Sequence, residues 1–143
     1  MVKNIPVSKN NNSKVAIIAI HGWKGNLSSM EHVANALNIK YAQWTFIQGP
    51  YAAGDNKYSW FEGNEKEGWN YQESLDLLYK TILDINQSGF PKSKIFLLGF
   101  SQGACLAMEF IIRQKFSIGG IIPIAGFICL LYTSDAADDE LGV

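Results

Sequence analysis

The chain has 143 residues, 48% of them hydrophobic and 17% charged, a balance that supports one packed domain and excludes a disordered or low-complexity protein. Twelve Lys and Arg against thirteen Asp and Glu leave a net charge of −1, which excludes the basic footprint of a nucleic-acid binder and a polybasic membrane anchor. Two cysteines, Cys105 and Cys129, are too few for the disulfide framework of a small secreted scaffold, and residues 1–6 lack the apolar core of a signal peptide, so a reducing, cytoplasmic setting is expected.

After an asparagine-rich polar turn at 9–14, Val15–Ile20 is an unbroken apolar run with β-branched residues at four of its positions, the pattern of a strand buried on both faces. It ends in the loop His21-Gly22-Trp23-Lys24-Gly25-Asn26. Ser28 or Ser29 is expected to cap a helix whose apolar face is Met30, Val33, Ala34 and Leu37 and which stops near Asn38. His32 lies beside that face and is read as solvated. Residues 41–47 form the next expected strand, with Trp44 in the core, closed by Gln48-Gly49-Pro50 because proline cannot continue a central ladder.

Residues 51–69 read as a long irregular loop with Tyr58, Trp60 and Phe61 clustered in it, too long for a simple connector and therefore expected to serve a site. Tyr71, Leu75, Leu78, Ile82 and Ile85 then step by four and three, which draws one apolar stripe along a helix over about 70–87, stopped by Gly89 and Pro91. Residues 95–98 are a third buried strand. Behind Ser101, Ala104, Ala107 and Met108 recur at helical spacing, and Cys105 on that helix reads as a small buried hydrophobe. Residues 116–134 carry no charge over 19 positions, the length of a membrane span, yet Gly119, Gly120, Pro123 and Gly126 break the run into a short strand, Gly120–Ile124, and a turn.

Four strands alternating with three helices describe a doubly wound α/β protein, a mostly parallel sheet with helices on both faces joined by right-handed crossovers. In such sheets a ligand sits beyond the carboxyl ends of the strands where the winding reverses, which makes the loops at Gly22 and Ser101 candidate neighbours. The second of these carries Gly99-Phe100-Ser101-Gln102-Gly103, a G-x-S-x-G between an expected strand and an expected helix. There a serine is forced onto a strained corner with its hydroxyl clear of the sheet, while the glycines remove side chains that would collide. Ser101 is the candidate nucleophile.

Four landmarks in order, Ala19-Ile20-His21-Gly22-Trp23, Ser59-Trp60-Phe61, Leu98-Gly99-Phe100-Ser101-Gln102-Gly103-Ala104 and Gly119-Gly120-Ile121-Ile122, resemble those of the phospholipase/carboxylesterase family of α/β-hydrolases, which includes the acyl-protein thioesterases. The resemblance implies an α/β-hydrolase fold and a serine hydrolase acting on carboxylic ester or thioester bonds without metal or cofactor. It implies Ser101 as nucleophile, the backbone N–H groups of Trp23 and Gln102 as oxyanion donors, and His21, Gly22, Gly99 and Gly103 as structural residues at the site. Two amides fixed at a loop and a helix start stabilise a tetrahedral oxyanion, and loss of one such donor costs about 3 kcal/mol. Trp60 and Phe61 are expected to wall the acyl or alcohol pocket, whose substrate is a small molecule or an acyl chain.

The family order of the triad is Ser, then Asp or Glu, then His, and no histidine follows Ser101. The sequence departs from the family after Ile128 and resembles translated sequencing adaptor, with Asp135, Asp138, Asp139 and Glu140 gathered at its end. Residues 1–128 therefore carry 12 basic and 9 acidic groups, thirteen less the four of the tail. The expected organisation is a C-terminally truncated hydrolase domain at 1–128 followed by an artefactual tail at 129–143, with the downstream Asp and His missing and the chain inactive as it stands. Such truncation would leave the strand at Gly120–Ile124 as an aggregation-prone edge. Two other readings remain: a hydrolase-fold binding protein without catalysis, and a flavodoxin-like nucleotide or flavin binder. The last is disfavoured because neither strand-end loop offers a phosphate-cradling glycine pattern.

Overall fold

Alternate side chains of an extended strand face opposite ways, so a strand without a polar residue has to be covered on both sides. The computed structural model, which describes residues 2–3, 12–113 and 117–125, covers Val15–Ile20 in this manner. In chain order the elements are β1 (Val2–Lys3), β2 (Val15–Ile20), α1 (Glu31–Leu37), β3 (Ala42–Ile47), β4 (Tyr51–Ala52), β5 (Tyr58–Ser59), β6 (Glu62–Asn64), β7 (Gly68–Asn70), α2 (Gln72–Gln87), a 3-10 turn at Lys92–Lys94, β8 (Ile95–Phe100), α3 (Gln102–Arg113) and β9 (Gly120–Ile124).

The main sheet has the order β1-β3-β2-β8-β9. Its last four members are parallel, with Ile20 opposite Ile47 on one side and opposite Gly99 on the other, and with Phe100 opposite Ile124. The chain winds outward from β2 to β3, crosses back over β2 to β8 and continues to β9. Between β2 and β8 the winding reverses, and the sheet is the doubly wound one expected from the alternation of elements. Of the strands in this sheet, only the antiparallel β1 was not legible in the sequence.

Ala16, Ile18 and Ile20 pack with Leu75, Leu78, Ile82 and Ile85 of α2 and with Leu106 and Phe110 of α3. Ile17 and Ala19 pack on the opposite face with Met30, Phe46 and Leu98, and Val33 and Ala34 of α1 lie against them. Each large side chain buried in this way contributes about 1.5–3 kcal/mol. The four α2 residues are the stripe read from their spacing, all buried.

Several local expectations are corrected. Leu37 is 46% exposed, because α1 has only seven residues and its last turn runs past the part of the sheet that Met30, Val33 and Ala34 cover. Neither candidate serine caps α1: its N-cap is Met30, and the Ser29 Oγ accepts the Asn26 N–H at 2.8 Å. Trp44 is half-buried and stacks with Phe46 at 6.4 Å between ring centroids, so it borders the core without entering it. Cys105 is buried as expected, but it is disulfide-bonded and not a free thiol. Residues 51–69 are not irregular. They fold into two small antiparallel pairs, β4 with β5 and β6 with β7, whose short ladders carry no apolar run long enough to be read from sequence. β9 matches its expected range and ends the sheet among the described residues, with Ile122 39% exposed. The tail from residue 129 lies outside the described residues.

Candidate active site

The carboxyl ends of β2 and β8 meet at the reversal of winding, and the sequence forces them close. Ser101 follows β8 with a φ of 55°, in the left-handed region that costs a residue with a side chain about 1–3 kcal/mol. Its N–H donates to the Ile124 carbonyl at 3.0 Å, and its own carbonyl accepts from the N–H groups of Ala104 and Cys105 at 3.0 and 3.2 Å. The strained residue is thus held from both sides, by the end of β9 and by the first turn of α3. A side chain on Gly103 would drive its Cβ to 2.6 Å from the His21 carbonyl oxygen and nearer still to that of Ile20, while one on Gly99 would meet the Ala104 nitrogen at 2.5 Å. Both motif glycines are therefore required by backbone contact, one against β2 and one against α3. Gly22 faces Phe100, where a Cβ would stand 3.1 Å from the Phe100 Cδ1, so the loop after β2 lies against the corner that presents Ser101.

His21 is fully buried and both of its ring nitrogens are engaged. Its Nδ1 donates to the Gly22 carbonyl at 2.6 Å and its Nε2 accepts the Gly49 N–H at 3.0 Å, which defines a neutral ring with the proton on Nδ1. Burial lowers its pKa below 6.5, opposed in part by the bond to Gly22. The unfolded chain takes up a proton near pH 6.5 that the folded chain refuses, so this group adds stability above that pH and loses it as the pH falls. Denaturant titrations at about pH 7.5 and about pH 5.5 are expected to show a loss at the lower pH that is smaller in a His21→Gln variant, whatever that variant's absolute stability. An equal loss in both proteins would remove His21 as its source.

Trp60 does not wall a pocket. It is fully buried, lies against His21 with ring centroids 4.8 Å apart and planes tilted by 32°, and donates its indole N–H to the His21 carbonyl at 2.8 Å. The Ser74 hydroxyl of α2 holds the Trp60 carbonyl at 2.7 Å. An indole N–H needs a partner when buried, and here the partner is the strand end beside Ser101.

Gln102 binds the same loop through its side chain. Its Oε1 accepts the Trp60 N–H at 2.9 Å and its Nε2 donates to the Ser59 hydroxyl at 3.1 Å, which itself donates to the Phe61 carbonyl at 2.7 Å. Ser59 and the Gln102 carboxamide are partners that sequence reading missed, since they lie 43 residues apart and neither belongs to a periodic pattern. Among the described residues, the backbone N–H groups of Trp23 and Gln102 donate to no backbone carbonyl. Trp23 is 61% exposed, and its loop is pinned by the Lys24 N–H to the Tyr58 carbonyl at 2.8 Å.

A cavity of about 430 Å³ opens here, lined among others by Trp23, Tyr51, Ser59, Phe61, Trp69 and Gln102. It brings together Trp23, Gln102 and Phe61, which the sequence singled out. It also adds Tyr51 and Trp69, the aromatics framing the 51–69 stretch, whose density of rings was the available signal. The Tyr51 hydroxyl is buried without a hydrogen-bond partner; the Glu73 amide approaches it without closing a bond, and burial raises its pKa so that it stays protonated. Among the described residues no histidine bonds the Ser101 hydroxyl, His32 is exposed on α1, no cluster of side chains is suited to a metal ion, and no helix is long and apolar enough to cross a membrane.

A family description, phospholipase/carboxylesterase, matches residues 3–139. Similar proteins include the mouse lysophospholipase-like protein 1, 25% identical over 85% of this chain and 58% of its own length. The acyl-protein thioesterase 1 homolog 2 of Dictyostelium discoideum is 24% identical over 74% of this chain and 51% of its own length. The crystal structure of a phospholipase/carboxylesterase from Dyadobacter fermentans superposes with a TM-score of 0.64 at 26% identity, covering 90% of this chain and 60% of that one. The chain spans little more than half the length of these relatives.

Proposed function

The chain belongs to the phospholipase/carboxylesterase family of α/β-hydrolases, and from that premise we propose that it is the larger part of a serine hydrolase that cleaves carboxylic ester or thioester bonds through an acyl-enzyme. One observation carries the reading: Ser101 sits in a left-handed corner next to Gln102 and against the loop that bears Trp23, and the backbone N–H groups of Trp23 and Gln102 donate to no backbone carbonyl among the described residues. In this reading the Ser101 Oγ attacks the acyl carbonyl, and the two amides receive the negative oxygen that forms. His21 is not the base, because its Nδ1 and Nε2 are already committed to Gly22 and Gly49. The base and its orienting acid come from residues downstream of about Ile128 in a longer native chain. A cytoplasmic location belongs to the same reading and is tested by fractionating cells that express the extended chain.

The commitment of His21 also favours a second reading, a hydrolase-fold protein that binds an acyl compound without cleaving it. The genomic locus separates the two: a frame encoding residues 129–143 and then stopping supports the binding protein, and one continuing to an Asp and a His supports the hydrolase. A fluorophosphonate probe tests the base assignment directly. Weak labelling of the 143-residue chain and strong Ser101 labelling of the extended one are expected. Strong labelling of the 143-residue chain that His21→Ala abolishes without unfolding would overturn it.

A further inference from the structure

A tight turn carries the chain out of β2. The Gly25 N–H donates to the Gly22 carbonyl at 3.0 Å, which closes a turn with Trp23 and Lys24 at its central positions. Of these two only Lys24 has a positive φ, 69°, the type II arrangement whose second central position suits glycine or asparagine. Lysine gains nothing from its side chain in that region, so it holds the conformation at a cost in stability. The turn is fixed in place: the Lys24 N–H donates to the Tyr58 carbonyl at 2.8 Å, the Tyr58 N–H donates to the Gly25 carbonyl at 2.9 Å, and a Cβ on Gly25 would stand 2.8 Å from the His21 Nδ1.

What the strained lysine offers is a charge at the edge of the site. Its Nζ lies 4.4 Å from the centroid of the Trp23 ring, and Trp23 lines the cavity that Gln102 also lines. An aromatic face holds an ammonium without neutralising it, and among the described residues no carboxylate pairs with this one. The charged side chain in the lining itself is Glu62, so a negative group on a ligand is repelled from β6 and drawn toward Lys24. One ammonium balances a monoanion, which favours a carboxylate over a phosphate dianion. We propose that Lys24 forms a subsite for a carboxylate carried by the ligand of this cavity. That the carboxylate belongs to the alcohol or thiol released on hydrolysis rests on the hydrolase reading above; the subsite itself does not require catalysis.

Calorimetric titration of the 143-residue chain with 4-acetamidobenzoate and its uncharged counterpart 4-acetamidobenzamide tests it. The acid is expected to bind about fivefold more tightly, the worth of one exposed ion pair, and the difference to shrink in about 0.5 M salt. Lys24→Asn removes the charge and suits the left-handed position, so it should fold and bind the two ligands equally. Lys24→Arg should keep the preference. Equal affinities in the wild type, a preference that survives in Lys24→Asn, or no binding of the acid by the wild type overturns the subsite. In the extended chain, Lys24→Asn should raise KM for 4-acetoxybenzoate about fivefold while leaving its kcat, and both constants for 4-acetoxybenzamide, unchanged. Absence of hydrolysis together with the charge-dependent binding removes the catalytic reading and leaves the subsite standing. Ser101-dependent hydrolysis with a KM for 4-acetoxybenzoate that Lys24→Asn does not move does the reverse.

Discussion

Hydrolysis of short acyl esters by the 143-residue chain is expected to equal that of its Ser101→Ala variant, whereas the chain extended by its native downstream sequence should turn over and lose activity on the same substitution. The size of the difference follows from how a triad divides its work. An oxyanion hole and substrate binding alone leave about 10³ to 10⁴ over water, and the serine–base pair supplies a further factor of roughly 10⁴ to 10⁶. Ser101 without a base is an alcohol of negligible nucleophilicity near neutral pH. The buried imidazole of His21 supplies none, since its Nε2 lone pair accepts the Gly49 amide at 3.0 Å and burial disfavours its protonated form. Initial rates with a chromogenic acetate ester decide the matter. Turnover by the 143-residue chain at a rate that Ser101→Ala lowers a thousandfold would mean that a base stands beside Ser101 after all.

Gly103→Ala should destabilise the fold by roughly 3 kcal/mol, measured as a shift in the urea midpoint at unchanged slope. In an isolated helix the same substitution is favourable by about 1 kcal/mol, so the sign depends on what the added methyl meets. Here it meets the carbonyl oxygen of His21 at 2.6 Å and comes closer still to that of Ile20, both of them backbone atoms of the central strand end that no side-chain rotation can move. Relief requires α3 to lift from β2, which pulls the Gln102 carboxamide from Ser59 and Trp60 as well. The extended enzyme should therefore lose activity even where it stays folded. A variant within 0.5 kcal/mol of the wild type would show that the helix start tolerates displacement.

Much of the fold could be read before any coordinates. Val15–Ile20 was found with its observed ends because an apolar run covered on both faces is bounded by residues that the core rejects, and Gly120–Ile124 because glycines break the uncharged run on either side of it. The α2 stripe was legible because four residues at helical spacing leave no other surface to bury. The corner at Ser101 was legible too, since glycines on both sides of a serine, between a strand and a helix, encode a backbone approach and a left-handed turn.

What the tertiary structure alone decided are the pairings between segments that sequence places far apart. Trp60 and Phe61 are adjacent and equally aromatic, yet one is locked under His21 through its indole N–H and the other lines the cavity. No local propensity separates them, because the choice depends on which way a hairpin enters the sheet. His21 was expected to be structural from its place at a strand end, but the proton position on its ring follows from the Gly49 amide, 28 residues away. Composition and periodicity determined which surfaces this chain buries, since burial is set residue by residue by the transfer of apolar groups from water. Hydrogen-bond partners across loops depend on distance and angle between groups that only the folded backbone brings together, and these decided the site.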